Sequence, residues 1–168
     1  MQAFRYLPIG LALALAGCTG GLRSANIAEA HKAPRQVAIE INAASKLNTN
    51  KKGQPLALVA RIYKLRQRAA FDSAPFDTFI NPAREKETLG ADLLEVKEVT
   101  LIPGQHYKVL EKVSREASFV GVVALFHNPA SQRWRAAFAA ADIEKTGLSL
   151  GMHACSLTSP AAGKPARC

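Results

Sequence analysis

From Val37 onward the chain alternates apolar and polar positions. Val37, Ile39 and Ile41 fall on one side of Ala38, Glu40 and Asn42, the period of two that marks a strand with one buried face. A polar stretch, 43–55, interrupts the pattern, with Asn48, Asn50 and Gly53 supplying turn conformations and Pro55 placed to open the next strand. Residues 56–64 are then apolar on both faces, Leu56, Leu58 and Ile62 on one and Val59 and Tyr63 on the other, which predicts a central strand. The run Asp72-Ser73-Ala74-Pro75-Phe76-Asp77 reads as a helix start. Its capping side chain and early proline precede a buried stripe of Phe76, Phe79 and Ile80, and Asn81-Pro82 follows the helix.

Strand character returns over 93–102, stops at the type II turn signal Pro103-Gly104, and resumes over 106–113. Residues 118–126 form the most apolar run after the N-terminus, and their β-branched centre predicts a fully buried strand. His127-Asn128-Pro129-Ala130-Ser131 turns the chain into another strand near Trp134–Phe138, and 148–157 supplies a last one. Some seven or eight strands with one short helix predict an all-β sandwich. The tail, 158–168, is rich in Pro, Ala and Gly and reads as loose.

The N-terminal segment follows different rules. Arg5 precedes an apolar run of roughly 10 residues, too short for a bilayer core that needs about 20. Leu15-Ala16-Gly17-Cys18 then resembles the bacterial lipobox, in which small residues ahead of a cysteine permit cleavage and the thiol carries a diacylglycerol. Residues 1–17 are thus expected to be a lipoprotein signal peptide and Cys18 the lipidated first residue of the mature chain. With about 0.8 kcal/mol per buried methylene, two or three acyl chains hold a protein on a membrane where one is marginal. Thr19, rather than an aspartate, follows Cys18; by resemblance to Gram-negative lipoproteins this favours the inner leaflet of the outer membrane, with the body in the periplasm. Residues 18–36 read as the lipidated cysteine and a flexible tether, 37–157 as the sandwich domain.

Composition bears on partners. The formal net charge is +9, and losing Arg5 with the leader lowers it to +8. A basic periplasmic domain suits lipid phosphates or an acidic protein, and that compartment argues against nucleic acid. Besides Cys18 only Cys155 and Cys168 remain. In an oxidising compartment they either bridge a short C-terminal loop or stay apart as a buried apolar residue and a free thiol. No metalloprotease, nucleophile-elbow, Cys-x-x-Cys or phosphate-loop motif occurs. His31, His106, His127 and His153 share no ligand spacing, and Glu85, Glu87, Glu95 and Glu98 read as solvated surface. No enzyme activity, metal or cofactor is expected. A ligand-carrying or chaperone-like periplasmic lipoprotein is the alternative to a binding protein, and it requires an enlarged internal cavity.

An ordered set of segments sharpens the reading. After the lipobox come Leu47-Asn48, Gly53-Gln54-Pro55, Val59-Ala60-Arg61-Ile62-Tyr63-Lys64-Leu65, and Phe71 with Phe76 and Phe79. Then follow Leu89-Gly90-Ala91-Asp92-Leu93-Leu94, Leu101-Ile102-Pro103-Gly104, the run from Phe119 to Phe126, and Trp134-Arg135. Over about residues 37–140 this series resembles the TssJ family, outer-membrane lipoproteins of type VI secretion systems. The resemblance implies a two-sheet transthyretin-like β-sandwich with one short added helix. It also implies binding to the periplasmic C-terminal domain of the inner-membrane protein TssM, with TssL completing the complex. The contact is attributed to the loop between the first two strands, here Lys46, Leu47, Asn48, Thr49, Asn50, Lys51, Lys52 and Gly53. Thr49-Asn50 stands where that family commonly has Pro-Asp, which predicts a less stiff loop with one negative charge fewer. Lys46, Lys51 and Lys52 make it basic, and Leu47 either anchors a partner or folds inward onto the sandwich.

Overall fold

The computed structural model describes residues 32–160 and 164–168; the expected signal peptide, Cys18 and most of the expected tether lie outside them. Eight strands form two four-stranded sheets. The first has the order β4-β1-β7-β8, from β1 (Arg35–Ala43), β4 (His106–Val113), β7 (Leu148–Met152) and β8 (Leu157–Thr158). The second has the order β3-β2-β5-β6, from β2 (Leu58–Leu65), β3 (Leu93–Leu101), β5 (Phe119–Ala124) and β6 (Arg135–Ala139). All pairings are antiparallel except β1 with β7. Val37, Ile39 and Ile41 from one sheet meet Leu58, Ala60, Ile62, Val120 and Val122 from the other in a core from which water is excluded. At about 1.5–3 kcal/mol per buried large apolar side chain, this core is the main force holding the sheets together.

The doubly apolar second strand is explained by what covers it. Helices α1 (Ala69–Ser73), α2 (Phe76–Ile80) and α3 (Pro82–Leu89) lie on the outer face of its sheet. There Tyr63, Phe71 and Phe79 pack tilted or edge to face with centroids 5.4–5.8 Å apart, and Trp134 adds contacts to Phe76 and Phe79. Gly121 makes the contact close, since a Cβ there would stand 2.7 Å from the Phe71 ring. Arg135 ties the insert down: its guanidinium donates to the carbonyls of Phe71, Asp72 and Ala74 and lies 4.5 Å from the Trp134 ring centroid.

The helical content departs from one short helix. Asp72 caps nothing; it lies in α1 and pairs with Arg68 at 2.5 Å. Pro75 precedes α2 without a side-chain cap, and Ile80, expected in the buried stripe, is 57% exposed. Asn81-Pro82 does follow α2, with Asn81 as its C-cap, and it also starts a further helix. The Asn81 side chain accepts from the amides of Ala83 and Arg84, and Pro82 occupies the first turn of α3, where its missing N–H costs nothing. A fourth helix, α4 (Ala140–Thr146), joins β6 to β7, and the expected last strand is two, β7 and β8, separated by 153–156.

The predicted turn at Pro103-Gly104 is present, with Gln105 N–H donating to Ile102 C=O at 3.1 Å and Gly104 at φ +78°. It carries the chain from one sheet to the other. Further from this turn, the open seam between β3 and β4 is closed by charge. Lys64 lies 2.7 Å from Glu95 and 3.5 Å from Glu111, and Glu111 pairs with Lys97 at 2.5 Å. Lys64 and Glu111 have side chains only 7% exposed. Nor is Glu85 solvated surface: it is buried and bonds Arg61 at 2.8 Å, while Glu98 takes the Arg61 Nε at 2.9 Å. Burial works against the Arg61 charge, but its contacts with Glu98, Tyr63 and Glu85 outweigh that and raise its pKa.

Candidate functional site

The β1–β2 connection is fixed at its base and closed at its tip. After β1, Ala44 N–H donates to Met152 C=O, Asn48 N–H to His153 C=O at 3.0 Å and Thr49 N–H to Ala154 C=O at 3.0 Å. The loop therefore hangs on the carbonyls of the β7–β8 connection. Leu47 is fully buried in the core, so it is no surface anchor. Asn48 is also buried, with φ +45°. Its Nδ2 donates to Ala57 C=O at 2.7 Å, and its Oδ1 accepts from His127 N–H at 2.7 Å. One side chain thus joins the loop to the β5–β6 connection as well. Left-handed backbone suits Asn better than most residues.

The tip is organised by Asn50. Its Oδ1 accepts from Lys52 N–H and Gln54 N–H at 2.9 and 3.0 Å, and its Nδ2 reaches Gln54 Oε1 at 2.9 Å. Backbone bonds between Asn50 and Gln54 and from Gly53 to Asn50 complete a closed turn, with Gly53 at φ +73°. This is the Asx-turn chemistry of a side chain standing in for backbone. The stiffness expected to be lost at Thr49-Asn50 is thus supplied by the Asn50 side chain. Thr49 and Asn50 are half-buried, while Lys46, Lys51, Lys52 and Gly53 are exposed. Of the loop residues singled out, the lysines and the tip backbone can meet a partner, and Leu47 and Asn48 hold the loop in place.

The platform under the loop has its own brace. Cys155 and Cys168 are joined by a disulfide, and Ala166 N–H donates to Ser156 Oγ at 3.1 Å, so the C-terminal segment lies against 153–156. His153 Nε2 is 2.9 Å from Thr158 Oγ1 across the β7–β8 hairpin, and burial lowers its pKa. A histidine whose folded pKa is depressed favours the neutral ring. Its contribution is intact above the unfolded value near 6.5 and is lost as pH falls from there through the folded value. Stability is therefore expected to fall as pH drops below about 6.5, and His153→Gln to flatten that slope in urea titrations.

Among the described residues no three of His, Cys, Asp and Glu gather as a metal site. No helix among them is long and apolar enough to cross a membrane. A groove of about 420 Å³ runs between α3 and β3, lined by Pro82, Glu85, Leu93 and Val96 and open to the surface.

The fold and this end of it define a class: a two-sheet β-sandwich with a braced, basic loop between its first two strands. The family model described as "Type VI secretion lipoprotein, VasD, EvfM, TssJ, VC_A0113" matches residues 35–155, and the chain belongs to that family. Comparison with curated protein sequences returns no match. Among solved structures, a chain described as "Type VI membrane complex" is 29% identical, with 75% of this chain and 98% of that chain covered at a TM-score of 0.68. A chain described as "T6SS protein TssM C-terminal domain (869-1107) from EAEC" is 28% identical over 78% of this chain and 98% of that chain, TM-score 0.65. The lipoprotein TssJ1 from Pseudomonas aeruginosa is 26% identical over 80% and 99%, TM-score 0.64.

Proposed function

We propose that this chain is the outer-membrane lipoprotein of a type VI secretion membrane complex, anchored by acyl chains on Cys18 and holding the periplasmic C-terminal domain of TssM with its β1–β2 loop. TssL joins on the inner-membrane side through the complex. Thr19 directs the anchor to the inner leaflet of the outer membrane. The observation that carries the docking role is the braced tip, which offers Lys51 and Lys52 on a closed turn without ordering cost at binding. Likeness to chains of a type VI membrane complex and of a structure described by the TssM C-terminal domain supports the same partner.

The buried Leu47 and Asn48 decide how the loop is tested. Removing the whole of 46–53 would strip a core residue and a clamp along with the contact surface. Lys51→Glu with Lys52→Glu alters only exposed charge. This variant is expected to keep its unfolding midpoint and to bind the TssM domain roughly tenfold or more weakly, because reversed charges repel an acidic surface. Unchanged affinity in calorimetry would refute the loop assignment. In cells, Cys18→Ser is expected to remove the protein from the outer-membrane fraction and stop secretion; full secretion would contradict the anchoring role.

A further inference from the structure

The loop is not the only element at its end of the sandwich. β1 ends at Ala43 beside Met152, the end of β7, and β2 begins opposite Leu101, the end of β3. β5 ends beside the start of β2, and β6 and β8 begin there too. The connections 44–57, 102–105, 125–134 and 153–156 therefore gather at one end, and the C-terminal segment lies with them. Hydrogen bonds stitch them together: Gly104 N–H to Ala44 C=O, His127 N–H to Asn48 Oδ1, Ala130 N–H to Cys155 C=O, and the Arg133 guanidinium to Lys164 C=O.

Two features of this end stand out. None of these connections, nor any position from 145 to 168, contains an aspartate or glutamate, although the chain has 13 acids. Exposed cations run across it instead: Lys46, Lys51 and Lys52 on the loop, Lys164 and Arg167 on the disulfide-tied segment. The second feature is apolar. Ile102, at the turn that touches Ala44, is 59% exposed, while Leu47 is buried. Four strands about 4.8 Å apart put roughly 14 Å between the outer strands of each sheet, so the surface spans the whole end rather than one loop.

We infer that the partner-binding surface is this entire acid-free end, with Ile102 as its apolar contact and Lys164 and Arg167 extending the lysines of the loop, and that it fits an acidic protein surface carrying an exposed apolar side chain. The inference rests on the docking role proposed above. Aligned positive charge steers such a partner and fixes its register, and the desolvated apolar contact supplies affinity that exposed ion pairs do not. A protein fits better than the anchoring membrane. The strand that follows the tether begins at Arg35, at the opposite end of nine residues, so the basic end lies about 30 Å from where the tether joins the domain.

The test uses the full lipidated protein in nanodiscs, with and without phosphatidylglycerol, titrated with the TssM C-terminal domain. Lys164→Glu with Arg167→Glu is expected to weaken binding roughly tenfold and to reduce its salt dependence in both disc types. Ile102→Ser is expected to weaken it at constant salt dependence, with unfolding midpoints unchanged for both variants. Wild-type affinity in both variants, alongside weakened binding by Lys51→Glu with Lys52→Glu, would overturn this inference and leave the docking role standing. Absence of binding by the wild type would overturn both. An effect of the Lys164 and Arg167 changes confined to discs with phosphatidylglycerol would assign the cations to lipid phosphate and overturn the protein surface.

Discussion

Glu111→Ala is expected to lower stability by about 3 kcal/mol, the low end of what removing one partner of a buried ion pair costs. Glu111 faces inward from β4 and serves Lys64 and Lys97 together. Without it, Lys64 keeps only Glu95, which is 55% exposed, so part of its charge remains compensated. That residual pairing keeps the loss from the top of the range. Urea denaturation should show a lower midpoint at an unchanged slope. The double change Lys64→Met with Glu111→Leu should restore most of the stability, because an apolar pair of similar volume carries no desolvation penalty. A single-variant loss under about 1 kcal/mol would mean that the seam is wetter than its burial indicates.

Asn48→Ala is the second large effect, and it should reach function. It leaves Ala57 C=O and His127 N–H without partners and puts an alanine at φ +45°. Two lost part-buried bonds and a backbone cost of about 1 kcal/mol together predict roughly 2–4 kcal/mol. Asn48→Gly removes the bonds but not the backbone preference, so it should lose less. The loop would still be tied through its amides to 153–154 while its far side, toward Ala57, is released. Capture of the TssM domain should weaken in both variants by more than their stability loss accounts for, read by calorimetry below the unfolding transition. Equal affinity for wild type and Asn48→Gly would mean that the clamp has no part in presenting the tip.

Much of the sandwich was legible because strand periodicity is local. Val37, Ile39 and Ile41 declare their face, and residues 56–64 declare a strand covered on both sides. The inward charges were written in the same periodicity and are easy to overlook. Lys64 shares its parity with Leu58 and Ile62, Lys97 with Val99 and Leu101, and Glu111 with Val109 and Val113. A charge on the apolar parity of a strand signals a buried pair. The helical insert was harder. Its pieces are five to eight residues long, and Asn81-Pro82 suits a stop as well as a start. α4 turns only Ala140 and Ile143 inward, too few to set a helical period.

At the candidate site, the basic character of the loop could be read directly, because charge needs no partner to be seen. The fate of Leu47 could not, since one leucine in a polar stretch has no period. Asn48 acts through backbone groups 9 and 79 residues away, and no sequence spacing announces such a clamp. Lys164 and Arg167 join the surface through a disulfide and a hydrogen-bond path that only the fold brings together.

On the proposed function, the basic end of the sandwich meets TssM while the outer face of the β4-β1-β7-β8 sheet does not. A photocrosslinking amino acid at position 51, on the loop tip, and another at position 110, where an exposed leucine marks that outer face, would test it in cells. Irradiation is expected to join the chain to TssM from position 51 and not from position 110. Crosslinks to TssM from position 110 alone would contradict the account.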